Sequence, residues 1–493
     1  MKYRNSPTAT VIISSLLVLL IAAFYRPKSV VPLFGMNPDA AFSFAPSMIL
    51  LTLIAMLALI RPDLALAAVA GTLPFTYRSR GFWDGNVPLV NNRYFPLHEI
   101  LLLIVLGATL VWWLIERETI TFDWCEWAVP LAWLVIGTIA MLIAVPEGRA
   151  EARREWRWVI VEPLIFYGLV RYWGRKGDTR WWLMRGLLAG SVIVAIIGLL
   201  QWNGIDRTPI DGVSACYSDF VVNTGGTVRT SSVFCHPNNL ALWQDRAWAI
   251  ALVLLVGATM LWTRKRNLTT SWWMLVYAGA TMATIASLFF TYSKGARFAS
   301  AAVAIGLSLL PRRWWITILT VVVLGGGLTY SSLAGTEREN VLGDSTSARF
   351  SIWRSGVAMI GDHPILGIGL DQFYFHYNPK FNRGYIDPKL AADPAESNTS
   401  HPHNVVLDLW LRMGILGLIT FGLIMLQTLR RAWRIWFSNH AQRWIALGCG
   451  AALLVGLIHG LVDQGYFSPD LAMVTWLFVG CVDGVFKNIE HRT

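Results

Sequence analysis

Apolar residues along this chain fall into long runs separated by short polar or basic connections. A membrane-spanning helix needs about 20 largely apolar residues. Runs of that kind lie at 8–24, 43–60, 63–76, 95–115, 124–145, 157–173, 181–202, 238–262, 270–290, 297–311, 313–330, 404–428, 443–462 and 470–486. The third and tenth are short, so the pattern predicts 12–14 transmembrane helices. The first run follows Lys2 and Arg4, has no small-residue cleavage site, and ends at Phe24-Tyr25-Arg26-Pro27. It reads as an uncleaved first helix. The fold class expected is all-α, a polytopic membrane helix bundle with a large extracytoplasmic loop. Its segments would be N-terminal transmembrane helices in 1–202, an extracytoplasmic loop in 203–237, central helices in 238–330, a large extracytoplasmic loop in 331–403, and C-terminal helices in 404–493.

Composition leads to the same solvent. Of 493 residues, 55% are hydrophobic and 14% charged, against about 25% charged in a soluble domain. Disordered, collagen-like and disulfide-scaffold classes are excluded by these figures. The net charge of +11 would suggest nucleic acid in a soluble protein. Here its placement suggests cytoplasmic loops, and no nucleic-acid partner is expected. Basic clusters stand at 171–180, 264–266, 312–313, 430–443 and 487–492, each separated from the next by an even number of spans. That regularity puts them, and both termini, in the cytoplasm. The long connections 203–237 and 331–403 then lie outside.

The loop 331–403 is too long to be a simple connector and is rich in aromatics. Within it Phe350, Trp353, Val357 and Ile360 share one helical face. Ser345, Thr346 or Ser347 would cap that helix, and Asp362-His363-Pro364 would end it. The apolar face is expected on the membrane interface or the bundle. Cys216 and Cys235 share the other outer loop, where a disulfide is plausible; closing about 20 residues would contribute about 3 kcal/mol.

Several cations oppose the positive-inside trend. Lys294 and Arg297 occupy a short outer turn between apolar spans, Arg78, Arg80 and Arg93 lie in 77–94, and Arg149 to Arg157 alternate with glutamates. The last group reads mainly as a solvated charged helix. Lys294 and Arg297 either snorkel to headgroups or hold an anion at that depth, since a guanidinium matches a phosphate with two parallel hydrogen bonds. At the other end of the large loop, His401-Pro402-His403-Asn404 opens a span. The spacing admits a metal pair, but no third or fourth ligand is evident in the sequence. It also admits helix capping by Asn404, or a general base beside phosphate-binding cations. His236 reads as a loop–helix junction, and His459 with Asp463 as a hydrogen-bonded structural pair. Glu162, Asp245 and Arg246 are expected to pair internally within apolar runs.

Three stretches resemble the O-antigen ligase and O-antigen polymerase superfamily of integral-membrane glycosyltransferases. They are Ser293-Lys294-Gly295-Ala296; Arg349-Phe350-Ser351-Ile352-Trp353 with His363-Pro364-Ile365-Leu366-Gly367-Ile368-Gly369; and His401-Pro402-His403-Asn404-Val405-Val406-Leu407 with Gly414-Ile415-Leu416-Gly417. The resemblance covers about 230–465. It implies metal-independent glycosyl transfer without a cofactor, from an undecaprenyl-diphosphate-linked oligosaccharide to a glycan or lipid A core acceptor. The family's essential histidine falls on His403 and its loop arginine on Arg349. Its turn arginine falls on Lys294, a departure that leaves Lys294 or Arg297 for that role. His401, Asn404 and Arg80 are further substrate-binding candidates. The chemistry fits a polymerase of a cell-surface polysaccharide in the bacterial inner membrane, with its active site on the extracytoplasmic face. A ligase to lipid A core and a protein oligosaccharyltransferase share the donor. A transporter would share the spans but would not need the histidine-ended loop.

Overall fold

The computed structural model describes residues 6–24, 44–78, 96–117, 124–205, 216, 229–310, 339–392, 397–438 and 440–490. Among them no strand occurs. The α-helices, in chain order, are α1 (Pro7–Phe24), α2 (Phe44–Ile60), α3 (Pro62–Thr72), α4 (Leu97–Glu116), α5 (Trp124–Leu142), α6 (Arg149–Glu155), α7 (Glu162–Gly174), α8 (Thr179–Trp202) and α9 (Pro237–Lys265). They continue with α10 (Leu268–Phe290), α11 (Lys294–Leu309), α12 (Glu339–Asp362), α13 (Phe373–Tyr377), α14 (Pro388–Ala391), α15 (Val405–Phe437), α16 (Arg443–Gly460) and α17 (Pro469–Glu490).

Thirteen of the expected spans fall on helices; the eleventh, 313–330, lies outside the described residues. Seven described helices are long and apolar enough to cross a membrane, and three shorter ones are apolar. The chain is a polytopic membrane helix bundle.

Two compact units divide the chain. The first contains residues 1–121, 165–292 and 487–493, the second 122–164 and 293–486. In the first, α3 and α8 meet through glycines. A Cβ on Gly186 would stand 2.2 Å from the Ala67 carbonyl oxygen, and one on Gly190 2.1 Å from that of Gly71. Small residues let membrane helices approach at backbone distance. Cys216 and Cys235 are disulfide-bonded with Cα atoms 4.6 Å apart. The His236 ring accepts the Asn238 amide and caps α9. Asp245 and Arg246 are buried and 3.5 Å apart.

In the second unit α15 is interrupted at Gly414, whose φ of 66° and ψ of −174° are not helical. The segment His363–Gly369 fills that break. Ile368 N donates to Leu411 O at 2.6 Å, Ile415 N to Pro364 O at 3.2 Å, and the Trp410 indole to the same Pro364 oxygen at 2.8 Å. Two of the sequence motifs are thus one structural joint. Gly367 (φ 72°) could not carry a side chain there, because its Cβ would stand 2.3 Å from Leu411 O.

Helix α12 differs from expectation at one end. It begins at Glu339, so Ser345, Thr346 and Ser347 lie inside it and do not cap it; it does end at Asp362. Ile352, Met359 and Ile360 join Leu411 in the core, whereas Phe350 and Val357 are exposed. The 149–157 segment is not wholly solvated. Arg153 and Arg154 are exposed, but Glu155 is buried. An i, i+4 pattern placed one glutamate on the inner side of a helix whose outer side carries the arginines. Glu162 pairs with Arg157 at 3.4 Å.

Candidate active site

The turn before α11 is built for close approach. Ser293 caps the helix by accepting the Ala296 amide at 3.4 Å, and its hydroxyl lies 3.5 Å from His459 Nε2. A Cβ on Gly295 would stand 2.9 Å from the His459 ring and 2.7 Å from Val462. The Ser-Lys-Gly-Ala motif therefore lays the start of α11 against the end of α16. Lys294 is exposed there and Arg297, one turn on, is buried.

The histidine loop arrives from the other side. The Trp353 indole on α12 donates to Pro402 O at 2.8 Å, anchoring the loop beside Arg349. His403 has a φ of 52°, a conformation that costs a non-glycine residue about 1–2 kcal/mol. Asn404 then caps α15, accepting the amides of Val406 and Leu407 at 3.0 and 3.1 Å. Its amide nitrogen donates to Leu461 O at 2.9 Å. Both ends of the Asn404 side chain are engaged, and they tie the loop to the segment that carries Asp463.

Asp463 is the centre of the arrangement. His403 Nδ1 stands 3.4 Å from Asp463 Oδ1, and Arg349 is 4.0 Å from Oδ2. A carboxylate can only accept, so Nδ1 carries the proton and Nε2 is left as the basic nitrogen. Nε2 makes no hydrogen bond among the described residues, and the His403 side chain is about a quarter exposed. Burial by itself would raise the Asp463 pKa. The hydrogen bond from His403, with the charges of His403, His459 and His401, outweighs burial and holds the carboxyl well below its usual range. The sequence suggests a hydrogen-bonded pair of Asp463 with His459; the structure hydrogen-bonds Asp463 to His403, with His459 acting on it through its charge. The only signal in the sequence was an acidic residue just past the end of an apolar span.

The His401 ring lies against that of His403, with centroids 4.2 Å apart and the planes tilted by 59°. One ligand atom from each of His401, His403 and Asp463 lies within 4.8 Å of the others, so these three could hold a metal ion. A third ligand is therefore present, contrary to the sequence reading.

One and two turns into α15, Arg412 gathers three carboxylates. It contacts Asp408 at 2.7 Å, Glu155 closely, and Asp371 at 3.8 Å; Arg154 reaches Asp371 at 3.3 Å. Burial pushes the Glu155 carboxyl up to about 8 despite Arg412. The network joins α6, the large loop and the first turns of α15, and so fixes the helix that His403 precedes. Arg80 lies outside the described residues.

A family model described as O-antigen ligase matches residues 279–422. No curated protein matches the chain. The matched stretch contains Lys294, Arg349, His401, His403 and Asn404, while Asp463 lies beyond it. Over that stretch the chain is similar to the O-antigen ligase family.

Proposed function

We propose that this protein is a membrane glycosyltransferase of the O-antigen ligase kind matched at residues 279–422, and that it polymerises a cell-surface polysaccharide. Its donor is a glycan on undecaprenyl diphosphate, and its acceptor is a second glycan. The protein sits in the bacterial inner membrane with both termini cytoplasmic and the His403 cluster on the extracytoplasmic face. The observation that carries this reading is one buried carboxylate, Asp463, facing both the imidazole of His403 and the guanidinium of Arg349.

The mechanism follows from the tautomer. Asp463 holds the proton on Nδ1, so Nε2 accepts the proton of an acceptor hydroxyl. That oxygen bonds to the donor's anomeric carbon as the carbon–oxygen bond to the diphosphate breaks. The electron pair leaves with the lipid diphosphate. Arg349 stabilises the growing charge, with Lys294 or Arg297 as the second cation. One displacement inverts the anomeric centre. Asp463 stabilises the imidazolium while it lasts. A diphosphate so neutralised is a good leaving group without a metal. Asn404 acts by position, and His401 borders the acceptor.

The test is the surface polysaccharide profile and lipid-carrier fraction of a deletion strain carrying wild type or His403→Ala. Single repeat units in place of a long ladder, at normal protein level, are expected. Long chains stranded on the carrier would make the enzyme a ligase instead. An unchanged profile would overturn the reading.

A further inference from the structure

A second site lies in the same unit, in the large loop and away from the histidines of the proposed chemistry. A cavity of about 660 Å³ is walled by Ile143 and Val145 after α5 and by the His363–Ile368 segment, with His376, Arg383 and Tyr385 at its polar side. Its walls are fixed. The His363–Gly369 segment is locked into the α15 break, and buried Gln372 accepts from Val145 N at 3.1 Å while donating to Gly148 O at 3.0 Å and Leu370 O at 2.8 Å.

The polar side has two unsatisfied groups. His376 is 6% exposed and its Nδ1 lies 3.1 Å from the Gln372 carbonyl oxygen. A carbonyl only accepts, so Nδ1 carries a proton and Nε2 is a hydrogen-bond acceptor. Nε2 makes no hydrogen bond among the described residues. Burial lowers the His376 pKa, against the pull of the Gln372 carbonyl. Arg383 Nε is buried and likewise without a hydrogen-bond partner, while its Nη2 reaches Glu147 at 3.3 Å. A buried donor left unpaired, as Arg383 Nε is, costs about 1–3 kcal/mol unless a ligand completes it.

The charges select the ligand. Glu147 already balances Arg383, and Tyr385 donates to Asp362 at 2.7 Å. No cation is left over for a phosphate or an acidic headgroup. A neutral molecule that presents a hydroxyl to each orphan and an apolar face to Ile365 and Leu366 fits; a pyranose has that form. We infer that this cavity is a carbohydrate subsite, which seats a sugar of the glycan through His376 Nε2 and Arg383 Nε. The assignment of the ligand as glycan rests on the proposed transferase reading.

The test is binding, without donor lipid, by purified full-length protein in nanodiscs. The probe is phosphate-free glycan released by mild acid from the producing strain's surface polysaccharide, followed by calorimetry and saturation-transfer NMR. His376→Phe should weaken binding at least tenfold, and Leu366→Trp should abolish it by filling the cavity. Binding is read without donor lipid and transfer is read separately in the polysaccharide profile, so failure of the chemistry and failure of this subsite are separable. If Leu366→Trp lowers the unfolding temperature, Ile365→Trp, at a position 62% exposed, replaces it. Wild-type affinity in the filled and His376 variants, or no binding by wild type at millimolar glycan, overturns the inference. So does a phospholipid retained by wild type and lost from Leu366→Trp, detected by native mass spectrometry, with glycan binding unchanged.

Discussion

His403 could be picked out by its neighbours in the chain, but its orientation could not. Asp463, 60 positions away, selects which imidazole nitrogen is free, and tertiary packing alone brings it there. Replacing it with Asn leaves the shape and removes the charge, so the imidazole can rest in the wrong tautomer. Asp463→Asn should lower transfer by roughly 10²–10⁴-fold, the range of general-base catalysis, with normal protein in the membrane. Because His401, His403 and Asp463 could also hold a metal, the loss must be paired with chelation. Wild-type membranes treated with EDTA should transfer at their untreated rate in a radiolabelled-glycan assay. Loss with EDTA and recovery with zinc would replace the base with a metal centre. Arg349 was legible from motif order, and it stands 4.0 Å from Asp463. Asn404 carried two readings in the sequence, and its side chain is occupied by capping. Glu155 was hidden because a charged run reads as solvated until its partners are known.

At the scale of elements, hydropathy located the helices because lipid demands closed backbone hydrogen bonding over a fixed length. It did not reveal the break in α15, which lies inside a continuous apolar run. The glycines of Gly414-Ile415-Leu416-Gly417 were visible, yet their purpose is a tertiary one. Gly414 adopts a positive φ, and a Cβ there would stand 1.8 Å from Ile365 O. Gly414→Ala must therefore bear the left-handed strain of about 1–2 kcal/mol and also displace the His363–Gly369 segment. Lower membrane accumulation and an unfolding temperature several degrees below wild type are expected in a fluorescence melt. Gly422→Ala is the control, since nothing lies within 4 Å of its added Cβ; it should be neutral or gain up to about 1 kcal/mol. Equal melts for the two variants would mean that the joint does not hold the loop. Helix α12 went partly unread because its exposed Phe350 and Val357 match the hydrophobic period as well as its buried residues do.

For the whole molecule, the proposal stands or falls on which face the histidines occupy, and α15 makes that a question of length. Beyond the break at Gly414, the stretch from Ile415 to Phe437 spans about 35 Å at 1.5 Å per residue, against a hydrocarbon core of about 30 Å. The surplus is at the C-terminal end, where Arg430, Arg431 and Arg434 accumulate, as cytoplasmic ends do. Arg431 is held there by Asp483. If that end is inside, the start of α15, with His403 and the large loop, is outside. Single cysteines at two exposed positions on opposite sides of α15, in a Cys125→Ser background, decide it, because Cys449 and Cys481 are buried and Cys216 is bonded to Cys235. Asn382→Cys should react with an impermeant maleimide once the outer envelope is permeabilised. Ala441→Cys should react only after the inner membrane is broken. Reversed labelling would put the imidazole on the cytoplasmic side and remove the extracytoplasmic donor from its reach, and the polymerase proposal would fail with it.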